Sequence, residues 1–125
     1  MTGEAFLADT HIILWSVNDD PRLSARHREI LASSATVYAS AASIWEIAIK
    51  IGIGKLNAPA DLAALLPRMQ FTPLAITFEH AQQVASLPRL HGDPFDRMLI
   101  AQAQVENLAI LTADPMFARY DIALA

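Results

Sequence analysis

Short, uninterrupted apolar runs alternate with helical segments along this sequence, and that alternation restricts the fold more than any other feature. The runs lie at residues 5–8, 36–40, 71–77 and 108–112, with 121–124 as a candidate fifth. They lack the in/out alternation of strands with one wet face, which is typical of strands buried on both faces. Between them, apolar residues recur at helical spacing over 10–17, 25–33, 42–51, 62–66, 79–86 and 94–105.

Strands of this kind, separated by helices, form a parallel sheet, and right-handed crossovers then cover both of its faces. The sequence therefore predicts an α/β fold: a three-layer α/β/α sandwich with a central, mostly parallel sheet of about five strands. With 125 residues and no linker or repeat, we expect one domain, residues 1–125.

Composition limits the classes of function. The net charge of −4 argues against a general nucleic-acid coat protein, although bound cations would allow a nuclease. The absence of cysteine excludes disulfides and thiolate zinc sites and is compatible with a reducing cytoplasm. The first residues do not resemble a signal peptide, and no apolar run reaches the roughly 20 residues that span a bilayer. We expect a cytoplasmic protein without a membrane segment.

Acidic residues stand at the places where such a sheet binds ligands, outside the carboxyl ends of the strands. Asp9 ends the first strand, Asp114 follows the fourth, and Glu46 lies one turn into the helix after the second. Asp93 is a predicted N-cap, and Pro94 at the first helical position places Asp96 at the third.

Each acid also has a structural explanation. Asp9 fits a turn, Asp93 and Asp114 fit helix caps before proline, and Glu46 forms an i,i+4 pair with Lys50. Together, however, these carboxylates would repel one another and raise one another's pKa values. Such a cluster requires a cation, and oxygen ligands suit Mg²⁺ or Mn²⁺.

Four segments in order resemble the signature blocks of PIN-domain nucleases, most closely the VapC-like toxins of bacterial toxin–antitoxin pairs. They are Phe6-Leu7-Ala8-Asp9-Thr10-His11, Ala42-Ser43-Ile44-Trp45-Glu46-Ile47-Ala48-Ile49-Lys50, His91-Gly92-Asp93-Pro94-Phe95-Asp96-Arg97-Met98-Leu99-Ile100-Ala101-Gln102-Ala103 and Leu111-Thr112-Ala113-Asp114. The resemblance covers nearly the whole chain.

The resemblance implies a metal-dependent endoribonuclease of a bacterium or archaeon. Asp9, Glu46, Asp96 and, less directly, Asp114 would hold one or two Mg²⁺ or Mn²⁺ ions. It also implies an RNA substrate, a small antitoxin that lies over the acidic pocket, and a homodimer. The resemblance implies auxiliary roles for Thr10, Thr112, Asp93 and Arg97. Arg97 would either contact an RNA phosphate or neutralise the acids.

Other interpretations stay open at this stage. His11 and His91 could bind a metal or move protons, but histidines at such positions are more often structural, and we assign both to that role. A non-catalytic binding module and a free-standing ribonuclease share the fold. A phosphotransfer or phosphatase site fits poorly, because His11 stands where a second acid would be and the last lysine is Lys55.

Overall fold

The computed structural model describes residues 4–125 and contains a parallel sheet of four strands. Residues 1–3 of the predicted domain lie outside the described residues. The strands are β1 (Ala5–Ala8), β2 (Thr36–Ser40), β3 (Phe71–Leu74) and β4 (Ala109–Leu111), in the spatial order β3-β2-β1-β4. The helices are α1 (Thr10–Val17), α2 (Ala25–Ala32), α3 (Ala41–Gly52), α4 (Leu62–Arg68), α5 (Phe78–Gln83) and α6 (Pro94–Glu106). Short 3₁₀ helices cover Val84–Ser86 and Pro115–Arg119.

The helices cover both faces of the sheet, as the uninterrupted apolar strands predict. Successive side chains of β1 point to opposite faces: Phe6 packs into one apolar core and Leu7 into the other. The first core includes side chains of α1, α2, α3 and α4, and the second is built mainly on α6. The three-layer α/β/α sandwich is therefore confirmed.

The sheet has four strands, and the candidate fifth strand contributes only one bridge. Leu124 pairs in parallel with Ile110, whose N–H donates to the carbonyl of Ala123. The third strand also ends at Leu74 rather than at residue 77. It contains Pro73, which cannot donate to a ladder and is tolerated because β3 lies at the edge of the sheet.

Local signals at the helix ends position the candidate site. The Asp93 carboxylate accepts from the backbone N–H groups of Phe95 and Asp96 at 2.8 and 3.1 Å, so the predicted cap of α6 is formed. The same helix ends at Asn107, which adopts the left-handed conformation with φ 56°. At α4, Asp61 occupies the predicted cap position without forming the side-chain bond.

The order of the strands reverses between β1 and β4. From β1 the chain builds outward through β2 to β3 and then returns to the other side of β1 to form β4. In open parallel sheets, ligands bind outside the carboxyl ends at such a reversal. Among the described helices, none is long and apolar enough to cross a membrane.

Candidate metal centre at the carboxyl ends of the strands

Asp9 and Thr112 join across the strand-order reversal. Asp9 directly follows β1 and is 2% exposed, and the Thr112 hydroxyl, just beyond β4, donates to its Oδ2 at 2.7 Å. Burial raises the pKa of the Asp9 carboxyl, and nearby Asp114 adds to the rise, while the bond from Thr112 opposes it. A carboxylate so deeply buried with only a hydroxyl as its side-chain partner is expected to attract a cation.

Asp114 lies at the same edge of the sheet as Asp9 and also caps a helix. Its Oδ1 accepts from the Met116 backbone N–H at 2.9 Å, which caps the 3₁₀ helix at Pro115–Arg119. Its own N–H donates to the Thr112 hydroxyl at 3.0 Å. Thr112 therefore orients both acids, and Asp114 lies near Asp9 through this shared residue.

Glu46 enters the site from α3 with a half-satisfied carboxylate. It is 5% exposed, and its Oε2 accepts from the Lys50 ammonium at 2.9 Å, so the predicted i,i+4 pair forms. Its Oε1 is buried and has no hydrogen-bond partner among the described residues. A buried carboxylate oxygen without a donor is costly, and a bound cation would remove that cost.

Asp96, in the first turn of α6, faces a histidine. His91 Nε2 lies 2.8 Å from Asp96 Oδ2 and donates to it. Burial raises the pKa of the Asp96 carboxyl to about 6, and the Asp93 and Asp9 carboxylates add to the rise, while His91 opposes it. No sequence pattern predicts this contact, because the approach of the 87–92 loop to α6 depends on packing.

The acids occupy one edge but do not form one tight cluster. Among the described residues, His91, Asp93 and Asp96 are the three that each bring a ligand atom within 4.8 Å of the others. Within residues 4–125, Asp9, Glu46 and Asp114 belong to no such triple. Lys50 links the groups: its bond to Glu46 raises the pKa of its ammonium, and Asp93 and Asp96 raise it further.

Two auxiliary residues are engaged elsewhere. The Thr10 hydroxyl donates to Ser43 Oγ at 2.9 Å and so ties the start of α1 to α3. The Arg97 guanidinium turns away from the acids and donates to backbone carbonyl oxygens of the preceding segment, those of Val84, Leu87, Pro88 and His91. Arg97 therefore anchors the loop that carries His91.

Comparison with known families decides the assignment. The family model of the PIN domain matches residues 6–123, nearly the entire chain. The chain belongs to the PIN domain family. PIN domains are generally metal-dependent nucleases. A comparison with proteins of curated function gives no match.

Solved structures confirm the fold of this PIN domain. VapBC2 from Rickettsia felis, bound to a promoter DNA fragment, aligns with a TM-score of 0.73 at 18% identity, covering 97% of each chain. DNA-bound VapBC from Salmonella typhimurium gives 0.68 at 18%, covering 98% of this chain and 96% of the other. A toxin–antitoxin complex from Klebsiella pneumoniae gives 0.60 at 17%, covering 88% and 87%.

The residues at this edge suit a divalent cation. Carboxylate oxygens dominate the donor set, as hard divalent ions prefer, and the unpartnered Oε1 of Glu46 is an acceptor that no donor of the described chain satisfies. Burial and mutual repulsion raise the pKa values of Asp9 and Asp96, and a bound cation would reverse both effects.

Proposed function

We propose that this PIN domain is a Mg²⁺- or Mn²⁺-dependent endoribonuclease and acts as the toxin of a type II toxin–antitoxin module in the cytoplasm of a bacterium or archaeon. The observation that carries the proposal is the set of buried acids at the strand-order reversal, with an unpartnered oxygen on Glu46. The general activity of the family and the similar fold in a toxin–antitoxin complex support it.

Each acid has a role in this proposal. Asp9, Glu46 and Asp96 would hold one or two ions, with Asp114 as a more distant contributor. Thr112 keeps Asp9 oriented through its 2.7 Å hydrogen bond, and Asp93 fixes the first turn of α6 that presents Asp96. Divalent ions bound there would lower the pKa of an attacking water and offset the charge that develops on the phosphate.

The chain's own charge explains why cations would be needed for substrate binding. The protein carries a net charge of −4, and its acids gather where the scissile phosphate of RNA would lie. Cations at these acids would reverse the local field and let the phosphate approach. Hydrolysis by water needs no nucleophilic side chain and would leave a 5′-phosphate and a 3′-hydroxyl.

The proposed antitoxin has an apolar groove available beside the acids. The groove encloses about 540 Å³ and is lined by side chains of α3, α4 and β3, among them Ile44, Trp45 and Leu66. Trp45 is 61% exposed and stacks edge-on against Phe95 at 5.1 Å, next to Glu46 and Asp96 in the chain. An apolar antitoxin segment in this groove would end beside the acidic pocket.

We also propose a homodimer. Phe78, at the first position of α5, is 93% exposed, and Ile76 just before it is 38% exposed. Neighbouring exposed apolar side chains that form a contiguous patch mark a protein-contact surface, whereas single ones do not. A second copy of the chain would cover them.

Cleavage of a pool of structured RNA by the purified protein, with mapped fragment ends, tests the proposed activity. We expect cuts that require Mg²⁺ or Mn²⁺, leave 5′-phosphates, and disappear with EDTA or in Asp96→Asn. The exposed Asp61→Asn serves as the matched control and should cut like the wild type. Cleavage by Asp96→Asn at the wild-type rate would remove Asp96 from the site, and metal-independent cleavage would contradict the proposal.

A further inference from the structure

His91 lies in the one tight group of metal-binding side chains that the described residues contain. Its ring, with Asp93 and Asp96, brings ligand atoms within 4.8 Å of one another. We propose that His91 is a direct ligand of the metal ion, together with Asp93 and Asp96, and that this nitrogen donor makes the site prefer a transition-metal ion to Mg²⁺. The inference deepens the proposed function and rests on it for the role of the ion, but its test requires no RNA.

The spacing of the donors is that of one coordination shell. Two neighbouring donors of an octahedral ion with bonds of about 2.1 Å lie roughly 3 Å apart. His91 Nε2 and Asp96 Oδ2 are 2.8 Å apart. The helix cap uses Oδ1 of Asp93, which leaves Oδ2 for another contact. An ion could therefore take both neighbours with little movement of either side chain.

A second observation, at Glu46, is a buried acceptor that a nearby cation would satisfy. Glu46 is 5% exposed and keeps Oε1 without a partner, although its other oxygen holds the Lys50 ammonium. Asp93 and Asp96, two members of the triple, also favour the charged form of this ammonium. Glu46 Oε1 is thus a buried acceptor that no donor of the described residues satisfies.

The loop that carries His91 is held in place. Arg97 donates to the carbonyl oxygens of His91 at 3.4 Å and of Pro88 at 2.9 Å, which ties the loop to α6. The His91 side chain is 27% exposed and that of Asp96 is 15% exposed. The group is thus anchored by its backbone and still reachable by an ion from solvent.

The donor type predicts which ion binds better. Mg²⁺ prefers oxygen donors and gives up its waters reluctantly, whereas imidazole suits transition-metal ions. A site with one imidazole and two carboxylates should therefore discriminate against Mg²⁺. Removal of the imidazole should reduce that discrimination.

Pulsed electron paramagnetic resonance of Mn²⁺ bound to the untagged full chain tests the proposal, because a coordinated imidazole gives a ¹⁴N coupling. We expect the coupling in the wild type and in His11→Gln, the matched control near Asp9. His91→Gln should lose it. We further expect His91→Gln to weaken Mn²⁺ binding at least about 10-fold and Mg²⁺ binding much less.

Several outcomes would overturn the proposal. These are a wild type that binds no Mn²⁺, one that binds it without ¹⁴N coupling, a coupling that persists in His91→Gln, and equal weakening for both ions. In the last case His91 would only position Asp96. Absence of the coupling in the wild type overturns the proposal even if His91→Gln fails to fold. RNA cleavage without the coupling would leave the proposed function standing, and coupling without cleavage would leave this inference standing.

Discussion

At the scale of the residue, burial and charge conflict most directly at Asp96. Its pKa is raised from 3.8 to about 6, chiefly by burial and also by Asp93 and Asp9. The protonated form therefore fits the metal-free fold better than the charged form. The contribution of Asp96 to stability is full below about pH 3.8 and is lost as the pH rises through about 6.

This loss of stability with rising pH can be measured on the metal-free protein in EDTA. Asp96→Asn cannot ionise, so its free energy of unfolding relative to the wild type should rise steadily as the pH increases from about 4 to about 6 and should level off above that. Urea unfolding of both proteins over this range measures the difference. A difference that stays constant with pH would mean that the Asp96 carboxyl has an ordinary pKa in the fold.

The positions of the acids could be predicted from sequence where they follow directly from chain order. Asp9 ends a strand, Asp93 caps a helix before proline, and the Glu46–Lys50 pair has helical spacing; all three features are present in the structure. The contact between His91 and Asp96 could not be predicted, because no sequence pattern fixes how a loop folds back on the next helix. The orientation of Arg97 was hidden for the same reason.

At the scale of the element, the start of α6 and the segment before it form one unit through Arg97. Its guanidinium donates to carbonyl oxygens in 84–91 and lies 3.4 Å from the Tyr120 hydroxyl. A lysine cannot reproduce these forked contacts. The helix start that presents Asp96 therefore depends on a residue that does not face the acids.

Arg97→Lys should lower the free energy of unfolding by about 1–3 kcal/mol, because three part-buried carbonyl groups lose their donor. The amides of 84–91 should exchange faster with solvent. Arg119→Lys is the matched control: Arg119 makes only long contacts, with the Leu90 carbonyl and with Met116 Sδ at 3.4 Å each, and should change stability by less than about 0.5 kcal/mol. Equal effects of the two substitutions in urea unfolding would contradict the anchoring role.

Strand positions could be predicted more reliably than strand ends. All four strands lie within apolar runs, but β3 and β4 are shorter than their runs. Residues 121–124 contribute one bridge, from Leu124 to Ile110, and the Ala125 N–H donates to the Ile110 carbonyl beside it. An apolar run predicts which residues are buried, whereas the length of the hydrogen-bonded strand depends on how far the neighbouring strand pairs with it.

At the scale of the whole molecule, the exposed Phe78 tests the proposed homodimer. We expect light scattering to give twice the 13.6 kDa chain mass for the wild type and the chain mass for Phe78→Glu. A charge placed in an apolar interface would be buried without a partner, which opposes association. Asp61→Asn, on an exposed residue, should leave the dimer intact. A monomeric wild type would contradict the homodimer.

The parallel sheet brings the acids together from distant parts of the chain. Asp9 and Thr112 are 103 residues apart in sequence, yet the Thr112 hydroxyl lies 2.7 Å from Asp9 Oδ2. They meet because β1 and β4 are neighbours at the strand-order reversal. Sequence analysis could predict that the acids lie at one edge, since strand ends share that edge. It could not predict their distances, which depend on the register of the strands and on helix packing.

Calorimetric titration of Mn²⁺ into the untagged, EDTA-stripped protein tests whether the acids at the strand-order reversal hold a divalent cation. We predict saturable binding that is lost or weakened at least about 10-fold in Asp9→Asn and Asp96→Asn, and is unchanged in Asp61→Asn. Wild-type protein that binds neither Mn²⁺ nor Mg²⁺ would contradict the proposed metal centre, because its acids would then hold no divalent cation.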